Sequence, residues 1–367
     1  MSARTVLGFM SGTSLDGLDG SIVRIEGSGL TMRASFVRGA TVGLGSCAEP
    51  LRRLAEGEAM TARSIVQALH DFSRLHADLA LRLLDGGRAD LIVAHGQTLL
   101  HDPPLSWQAI DPAIIASATG SPVLTDLRGA DLASGGQGAP ISPLADFVFF
   151  ADESPLAVLN LGGFANATLL GSRASGVQSI EGFDICACNQ VLDAAARAAL
   201  ERPFDEGGAE ALKGAADPEA LRDLAALLEG QSRAGRSLGT GDEASSWVER
   251  WKGGLSPSDL CATAAEAVGG AVASRLAGCT RLLLAGGGSR NRALVAAISK
   301  RLAGATIGPT DSAGLPATFR EAAAMAVLGA LSVDGVPITL TRVTGSPLPP
   351  LAGSLTPAPS RPAGASA

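Results

Sequence analysis

A pattern of two apolar strands joined by a glycine-containing turn occurs twice in this sequence, and it constrains the fold more than any other feature. Each copy predicts a β-hairpin, because strand-forming runs flank turn-forming residues. The segments are Thr5–Met10, the turn 11–14 and Leu18–Ile25 in the first copy, and Leu156–Leu161, the turn 162–163 and Ala165–Leu170 in the second. The recurrence indicates two related domains, each opening with a hairpin whose tip presents backbone N–H groups. Two unrelated hairpins remain the alternative.

The order of the other elements predicts the α/β fold class. Apolar residues recur at helical spacing over Thr61–Leu84, and the short buried strand Asp90–Ala94 follows. Helices over Gln190–Leu200 and Cys261–Leu276 precede the strand Arg281–Ala285. Alternating strands and helices are typical of α/β proteins. The 367 residues also exceed the roughly 250 to 300 that one hydrophobic core usually organises, so two domains are expected.

The composition excludes several classes of protein. Hydrophobic residues make up 46% of the chain, which excludes a disordered protein, and only 4% of residues are aromatic. Because dense Lys/Arg clusters and Tyr are absent, nucleic acid is not an expected partner. The apolar segment after Glu321 ends at Val333, short of the roughly 20 residues that span a membrane. Five scattered cysteines form no disulfide framework, which favours a reducing cytoplasm.

Glycine turns at the ends of predicted strands suggest a phosphate site. The common Walker and Gly-x-Gly-x-x-Gly motifs are missing from the sequence. Four turns are present instead, at 11–17, 135–138, 162–163 and 286–288. Glycine lets the backbone approach a ligand closely, and N–H and hydroxyl groups complement phosphate oxygens. Ordinary α/β connections remain the alternative for each turn.

Several acidic residues are candidates for chemistry. Asp16 and Asp19 flank the first turn and Glu321 lies in a late helix, and Mg²⁺ prefers such oxygen ligands when it bridges phosphates. Turn residues or a solvated helix face are the alternatives. Asp184 lies between Phe183 and Ile185, which predicts a partly buried carboxylate suited to proton abstraction. Its alternative role is the N-cap of a helix beginning near residue 189.

Histidine and cysteine spacing argues against a zinc site. His95 and His101 are predicted to lie on one loop, and Cys186-x-Cys188 has no second cysteine pair. A Cys186 or Cys188 nucleophile supported by His95 is conceivable, whereas most such cysteines are small buried residues.

The glycine turns and acidic residues belong to an ordered series of motifs that resembles the anhydro-N-acetylmuramic acid kinase family. The motifs are Gly8–Asp19, Ala94–Thr98, Asp126–Arg128 with Gly135–Pro140, Asn160–Asn166, Gly182–Asp184, Gly286–Asn291 and Glu321-Ala322. The resemblance extends from residue 5 to residue 331 or so. Such a series is far more specific than any single glycine motif.

The resemblance implies two ribonuclease-H-like domains, of the actin-like ATPase and sugar kinase fold, around a central cleft that binds ATP. The implied domains are residues 1–128 with about 330–344, and residues 129–329. The segment 345–367, rich in Pro, Ala, Gly and Ser, is predicted to be disordered. The implied reaction opens the 1,6-anhydro bridge of the sugar with water and transfers the ATP γ-phosphate to the 6-oxygen.

Site residues follow from the motif positions. The implied ATP contacts are Gly12, Thr13, Ser14, Leu15, Asp16, Gly17, Leu18 and Asp19, then Gly162, Gly163 and Asn166, and finally Gly286, Gly287, Gly288 and Asn291. The implied contacts to the sugar are His95, Gly96, Gln97 and Arg128. Asp184 matches the general base, and Asp16 and Glu321 match Mg²⁺ contacts, directly or through water. The Arg128 guanidinium suits the lactyl carboxylate or a developing charge, with an interdomain ion pair as the alternative.

The sequence departs from the family pattern at two places. Ile185–Asn189 replaces Thr-Gly-Pro-Gly-Asn, and Leu238–Glu243 lacks the Lys and Arg of Lys-Ser-Thr-Gly-Arg-Glu. Three functions therefore remain: the family's kinase, a kinase for another anhydro-sugar such as levoglucosan, and a nucleotide-binding pseudoenzyme that senses sugar. The sequence leaves the oligomeric state, a homodimer included, open.

Overall fold

The computed structural model describes residues 3–13, 15–233, 238 and 244–359. The strands, in chain order, are β1 Arg4–Ser11, β2 Leu18–Glu26, β3 Arg33–Val42, β4 Leu91–Ala94, β5 Gln97–Asp102, β6 Leu105–Ala109, β7 Val123–Thr125, β8 Leu156–Leu161, β9 Phe164–Leu170, β10 Glu181–Ala187, β11 Arg281–Ala285, β12 Thr306–Pro309 and β13 Ser354–Thr356. The helices are α1 Ala48–Ala55, α2 Ala62–Leu84, α3 Pro112–Thr119, α4 Gly129–Ala133, α5 Pro143–Phe150, α6 Asn189–Leu200, α7 Pro218–Arg233, α8 Ser245–Trp251, α9 Pro257–Arg275, α10 Arg292–Arg301, α11 Arg320–Val333 and α12 Thr341–Thr344.

The chain divides into two compact units. Unit 1 comprises Met1–Phe150 and Phe319–Ala367, and unit 2 comprises Ala151–Thr318. The sheet of unit 1 has the strand order β13-β7-β4-β1-β2-β3. Within it, β1, β2 and β3 form an antiparallel meander, and β4 and β7 continue the sheet parallel to β1.

The sheet of unit 2 repeats this arrangement. Its order is β10-β9-β8-β11-β12, in which β8, β9 and β10 form an antiparallel meander and β11 and β12 run parallel to β8. Both sheets therefore place the first strand of the hairpin between its antiparallel partner and a parallel strand. This is the ribonuclease-H-like arrangement in an α/β fold, and it confirms the fold class expected from the two hairpins.

Helix α11 lies directly on strand β1 because Gly8 has no side chain. An ideal Cβ at Gly8 would lie 2.0 Å from the Ala322 carbonyl oxygen and 2.6 Å from the Ala326 nitrogen. Further along the same helix, Gly329 packs against Val93 of β4 in the same way. This close approach places the first turn of α11, with Glu321, against the hairpin of unit 1.

The unit boundaries differ from those implied by the motifs. Residues 129–150 and 319–329 belong to unit 1, where Asp146 of α5 forms a buried bidentate ion pair with Arg320 of α11. Residues 345–359 are ordered in part, because β13 pairs antiparallel with β7 and continues the sheet. The expectation of disorder is therefore wrong for β13, and residues 360–367 lie outside the described residues. The sequence does not predict this strand because two of its three residues are exposed, so the segment has no periodic apolar pattern.

Two buried histidines are expected to make stability depend on acid pH. Burial lowers the pKa of His76 to about 4 and that of His95 to about 3, from 6.5. Both rings are therefore neutral in the folded protein at pH 5, whereas a histidine in the unfolded chain binds a proton there. Because the unfolded state then binds more protons, the stability present above pH 6.5 is lost as the pH falls.

We expect His76→Phe to reduce this acid dependence. The His76 ring packs edge-on against Phe9 and Phe72, so a Phe ring suits the site and does not titrate. Between pH 6.5 and 5, the free energy of unfolding should fall less steeply in the variant, by up to about 1.4 kcal/mol per pH unit. Urea unfolding at several pH values measures this slope. His70→Phe on the exposed face of α2 is the control, and an unchanged slope in His76→Phe would contradict the argument.

None of the helices among the described residues is long and apolar enough to cross a membrane.

Candidate active site

The turn of the first hairpin is tied to the segment that follows β4. Gln97 Nε2 donates to the Gly12 carbonyl at 3.1 Å, and Ser11 Oγ lies 2.8 Å from Gln97 Oε1 and 3.0 Å from the Gly17 carbonyl oxygen. Gln97 and Ser11 are both buried. The structure therefore brings together the predicted phosphate turn and one of the residues predicted near the sugar.

Two residues of unit 1 adopt left-handed backbone conformations that are costly for residues with a side chain. Leu15 has φ 57° and is buried in the core, and Asp126 has φ 55° at the end of β7. Asp126 Oδ1 accepts the Gly129 N–H at 2.9 Å, which turns the chain sharply around Arg128. Strain of this kind concentrates at functional sites because the surrounding structure must hold it.

Arg128 and His95 form a hydrogen-bonded pair in unit 1. Arg128 Nε donates to His95 Nε2 at 2.9 Å, and Arg128 Nη1 donates to the Gly138 carbonyl at 2.7 Å. His95 Nδ1 lies 3.0 Å from the Gly96 carbonyl oxygen, so the neutral ring donates there and accepts from Arg128. Burial, and then the Arg128 charge, lower the pKa of His95 to about 3, while burial lowers the pKa of Arg128 to about 10. The pair thus holds the half-buried guanidinium in a fixed position.

Glu321 provides a carboxylate beside this pair. Its side chain is exposed to solvent, but the surrounding protein desolvates the carboxylate and raises its pKa. The charges of Asp19 and Asp146 raise the pKa of Glu321 further, while those of Arg320 and Arg128 lower it. Burial also raises the pKa of Asp19, against a hydrogen bond from Thr41 that lowers it. The hairpin carboxylate whose charge raises the pKa of Glu321 is therefore that of Asp19. Asp16 is exposed in the turn.

These carboxylates suit a magnesium ion that keeps most of its water. Across the part of the chain that the structure describes, no three His, Cys, Asp or Glu side chains are grouped to hold a metal ion. Mg²⁺ bound to ATP needs only one or two carboxylates, because phosphate oxygens and water complete its octahedron. The donor set around Glu321 and Asp19 therefore fits that ion, with no complete protein cage.

The second hairpin is joined to helix α6 and to the turn after β11. The Gly163 carbonyl accepts the N–H groups of Cys188 and Gln190, and the Gly162 carbonyl accepts that of Asn189. The first N–H groups of α6 are therefore already bonded and are not open to an anion. Gly286 and Gly288 lie so close to the end of β8 that an ideal Cβ would meet the Leu161 carbonyl oxygen at 2.7 and 3.0 Å, respectively.

Asp184 lies at the end of a polar row across three strands of unit 2. Asn160 of β8 pairs with Asn166 of β9, which pairs in turn with Asp184 of β10, so the three residues share one face of the sheet. A bulge between Asp184 and Cys186 interrupts β10, and such bulges re-aim side chains near active sites. Asp184 is half-buried, and its Oδ2 accepts the Leu238 N–H at 2.8 Å.

The alternative role of Asp184 as a helix N-cap is wrong. Asp184 lies inside strand β10, and Cys188 precedes the first residue of α6. The thiol-nucleophile alternative also fails. Cys186 and Cys188 have no exposed surface, and burial raises the pKa of Cys186 to about 12 and that of Cys188 well above its usual value. Both cysteines are core residues, as the competing interpretation expected. In the segment that departs from the family pattern, the side chains of residues 185–188 are therefore all buried.

We expect alkylation to distinguish the cysteines by burial. The thiols of Cys47, Cys186, Cys188 and Cys261 are buried and Cys279 is half-exposed. Because only an accessible thiolate reacts, iodoacetamide at pH 8 should label Cys279 in the native protein and all five residues after unfolding. Peptide mass spectrometry measures the labelling, and native labelling of Cys186 or Cys188 would contradict the burial argument.

Several predicted contacts have a more limited place in the structure. Asn291 Oδ1 caps helix α10 by accepting the Leu294 N–H at 3.0 Å, so part of its hydrogen-bonding capacity is already used within the fold. Ser14 and residues 239–243 lie outside the described residues. His101, expected on a loop, lies in strand β5. Asn160 and the buried Asp131 are not among the predicted site residues, because Asn160 is only the first residue of a motif and an Asp in a glycine-rich stretch carries no signal of its own.

Comparisons with known proteins identify the family. A sequence profile described as anhydro-N-acetylmuramic acid kinase matches residues 4–358. The anhydro-N-acetylmuramic acid kinase of Streptomyces coelicolor is 37% identical over 378 residues, covering 96% of this chain and 93% of that protein. The enzyme of the same name from Salinibacter ruber is 35% identical over 395 residues, covering 96% of each chain.

Solved structures with similar chains were also found. The activator of the 2-hydroxyisocaproyl-CoA dehydratase from Clostridium difficile, with bound ADPNP, covers 90% of this chain and 96% of its own at 13% identity, with a TM-score of 0.45. A ROK family glucokinase from Streptomyces griseus, in complex with glucose and AMPPNP, covers 88% and 97% at 14% identity, with a TM-score of 0.37.

The repeated ribonuclease-H-like units, the glycine hairpin of each and the sequence relatives together define a sugar kinase. The profile matches nearly the whole chain, and the relatives of known name align with the chain from end to end, so the particular family can be stated. The chain belongs to the anhydro-N-acetylmuramic acid kinase family.

Proposed function

We propose that the protein is an ATP-dependent kinase that hydrolyses the 1,6-anhydro bridge of anhydro-N-acetylmuramic acid and phosphorylates its 6-oxygen. The product is N-acetylmuramic acid 6-phosphate, an intermediate of peptidoglycan recycling. The observation that carries the proposal is the place of Asp184. A half-buried carboxylate, oriented by a backbone N–H, follows a row of amides beside the glycine turns of unit 2. Such a group is suited to accept a proton from water.

Asp184 acts as the general base in the proposed reaction. It accepts a proton from water as the water oxygen bonds to the anomeric carbon and the bond from that carbon to the 6-oxygen breaks. The electron pair stays on the 6-oxygen, which bonds to the γ-phosphorus as the bond to the β,γ-bridging oxygen breaks and ADP leaves. Orientation of the reacting groups and charge neutralisation dominate the rate of such a transfer.

The remaining residues bind and orient the reactants. The turn 12–19, Gly162, Gly163 and Gly286–Gly288 hold the nucleotide in the proposal. Bound with ATP, Mg²⁺ neutralises phosphate charge. We assign its contacts to Asp16 and Glu321, with Asp19, whose charge raises the pKa of Glu321, as a further candidate. Arg128, held by His95 and Gly138, orients a carboxylate of the sugar.

A reducing cytoplasm is the proposed location. The five cysteines are free, and four of them are buried. The substrate and ATP are the proposed partners.

Mass spectrometry of product made in ¹⁸O-labelled water tests the proposal. One heavy oxygen at the anomeric carbon, together with one phosphate on the 6-oxygen, is the expected result. Unlabelled product incubated in the same water for the same time corrects for spontaneous exchange at the anomeric position. Label found only in inorganic phosphate would instead identify an ATPase and overturn the proposal.

Substrate choice needs a separate comparison, because residues 185–189 and 238–243 depart from the family pattern. Levoglucosan has the same anhydro bridge and lacks the lactyl carboxylate. Turnover of anhydro-N-acetylmuramic acid with ADP release, and little turnover of levoglucosan, is expected because Arg128 then has a carboxylate to bind. The reverse preference would assign the protein to another anhydro-sugar.

A further inference from the structure

The buried carboxylate of Asp131 joins two segments of unit 1 that are far apart in the chain. Asp131 has no exposed surface, and its Oδ2 accepts the Gly138 N–H at 2.8 Å. Its Oδ1 accepts the hydroxyl of Thr344, in helix α12, also at 2.8 Å. A buried carboxylate is costly unless donors satisfy its oxygens, so both bonds are needed to hold it in this place.

Gly138 connects Asp131 to Arg128 through two hydrogen bonds. The Gly138 N–H is held by Asp131, and the Gly138 carbonyl accepts from Arg128 Nη1 at 2.7 Å. With the bond from Arg128 Nε to His95, this contact determines the plane of the guanidinium and the direction in which Nη2 points. A shift of the Gly138 carbonyl therefore turns the group that is proposed to bind the sugar.

Thr344 holds the same loop through its backbone. The Thr344 carbonyl accepts the Gln137 N–H at 2.7 Å, and Thr344 is 1% exposed. Gly135 and Gly138 have φ of 83° and 66°, in the left-handed region that glycine tolerates. Because glycine is also flexible, it does not by itself hold the loop between α4 and residue 140 in one conformation. The conformation of this loop depends on contacts from outside, and Thr344 supplies one of them directly and a second through Asp131.

We propose that Thr344 is a positioning residue for Arg128 and that helix α12 thereby sets the affinity for the sugar. The effect passes from Thr344 through Asp131 and Gly138 to the guanidinium. The inference rests on the proposed function in one respect, the contact between Arg128 and the sugar. Thr344 itself contacts neither reactant.

Steady-state kinetics of Thr344→Val test the proposal. Valine keeps the volume of Thr and removes the donor to Asp131. We expect the KM for the sugar to rise about tenfold, with the KM for ATP and kcat changed less than about twofold, because the guanidinium loses its orientation toward the sugar alone. Thr344→Ser keeps the hydroxyl and should restore the wild-type KM. Thr341→Val, at an exposed position of the same helix, is the matched control.

Arg128→Lys separates failure of the inference from failure of the proposed function. An unchanged KM for the sugar in Arg128→Lys would overturn the sugar contact and the inference with it. A raised KM in Arg128→Lys, with no change in Thr344→Val, would overturn the inference alone. In the double variant, Thr344→Val should add little to the effect of Arg128→Lys, and fully additive effects would also overturn the inference.

Folding is monitored alongside the kinetics. Each variant is assayed below its thermal unfolding midpoint, which circular dichroism gives. Thr344→Cys, with a weak S–H donor in place of the hydroxyl, takes the place of Thr344→Val if that variant does not fold. An intermediate KM for the sugar is then expected, and a wild-type KM would count against the inference.

Discussion

Replacing Asp184 by Asn is expected to reduce kcat by roughly two to four orders of magnitude, the range that general-base catalysis contributes. The amide has the shape of the carboxylate, and its oxygen can still accept the Leu238 N–H. It cannot take a proton from water. ATP binding should remain within about threefold of wild type, since the glycine turns of both units are unchanged.

The measurement combines a coupled assay of ADP release with calorimetric titration of ATP. Asp217→Asn is the matched control in unit 2. Asp217 is also half-buried and accepts backbone N–H groups, those of Glu219 and Ala220, at the start of α7. Asn serves equally well at such a helix N-terminus, so this variant should retain its activity. A near-wild-type rate for Asp184→Asn would refute the assignment of the general base.

Replacing Gly8 by Ala should destabilise the protein by at least about 3 kcal/mol, since overpacking against rigid groups is costly. The new Cβ would lie 2.0 Å from the Ala322 carbonyl oxygen and 2.6 Å from the Ala326 nitrogen. Both atoms belong to the backbone of α11, which cannot move without leaving the sheet. For a unit of about 200 residues that unfolds cooperatively, such as unit 1, the thermal midpoint should fall by roughly 6 to 12 °C.

Thermal unfolding monitored by circular dichroism measures the effect of Gly8→Ala. Gly43→Ala is the control, because an ideal Cβ at Gly43 meets no atom within 4 Å and the position is exposed. That variant should stay within about 0.5 kcal/mol of wild type. An equal, small loss in both variants would show that α11 can shift away from β1 at little cost.

The hairpins and central helices could be predicted from the sequence because their apolar residues follow the period of the element. The strand 156–161 is observed at its predicted bounds, and α2 begins within one residue of the prediction. Strand β3 escaped prediction because it is an edge strand, with Arg33, Val37 and Arg38 exposed. Pro316 predicts the start of the late helix that carries Glu321, whereas α11 begins four residues later, at Arg320, because 317–319 form a tighter helical turn.

The site could be predicted only as a set of motifs. Their residue types indicate phosphate, magnesium and proton chemistry, but the contacts between motifs depend on the fold. The bond from Thr344 to Asp131 joins positions 213 residues apart. The left-handed backbone at Leu15 and Asp126 and the bulge at Asp184 have no sequence signal, because non-glycine residues adopt such conformations only where tertiary contacts hold them.

Strand β13 protects one edge of the unit 1 sheet from pairing with other molecules. It occupies the outer side of β7, whose N–H and C=O groups would otherwise form an open sheet edge. Open edges recruit strands from other chains and begin aggregation. The C-terminal segment thus covers that edge, and a chain cut before Ser354 would leave the β7 edge open to pairing with strands of other molecules.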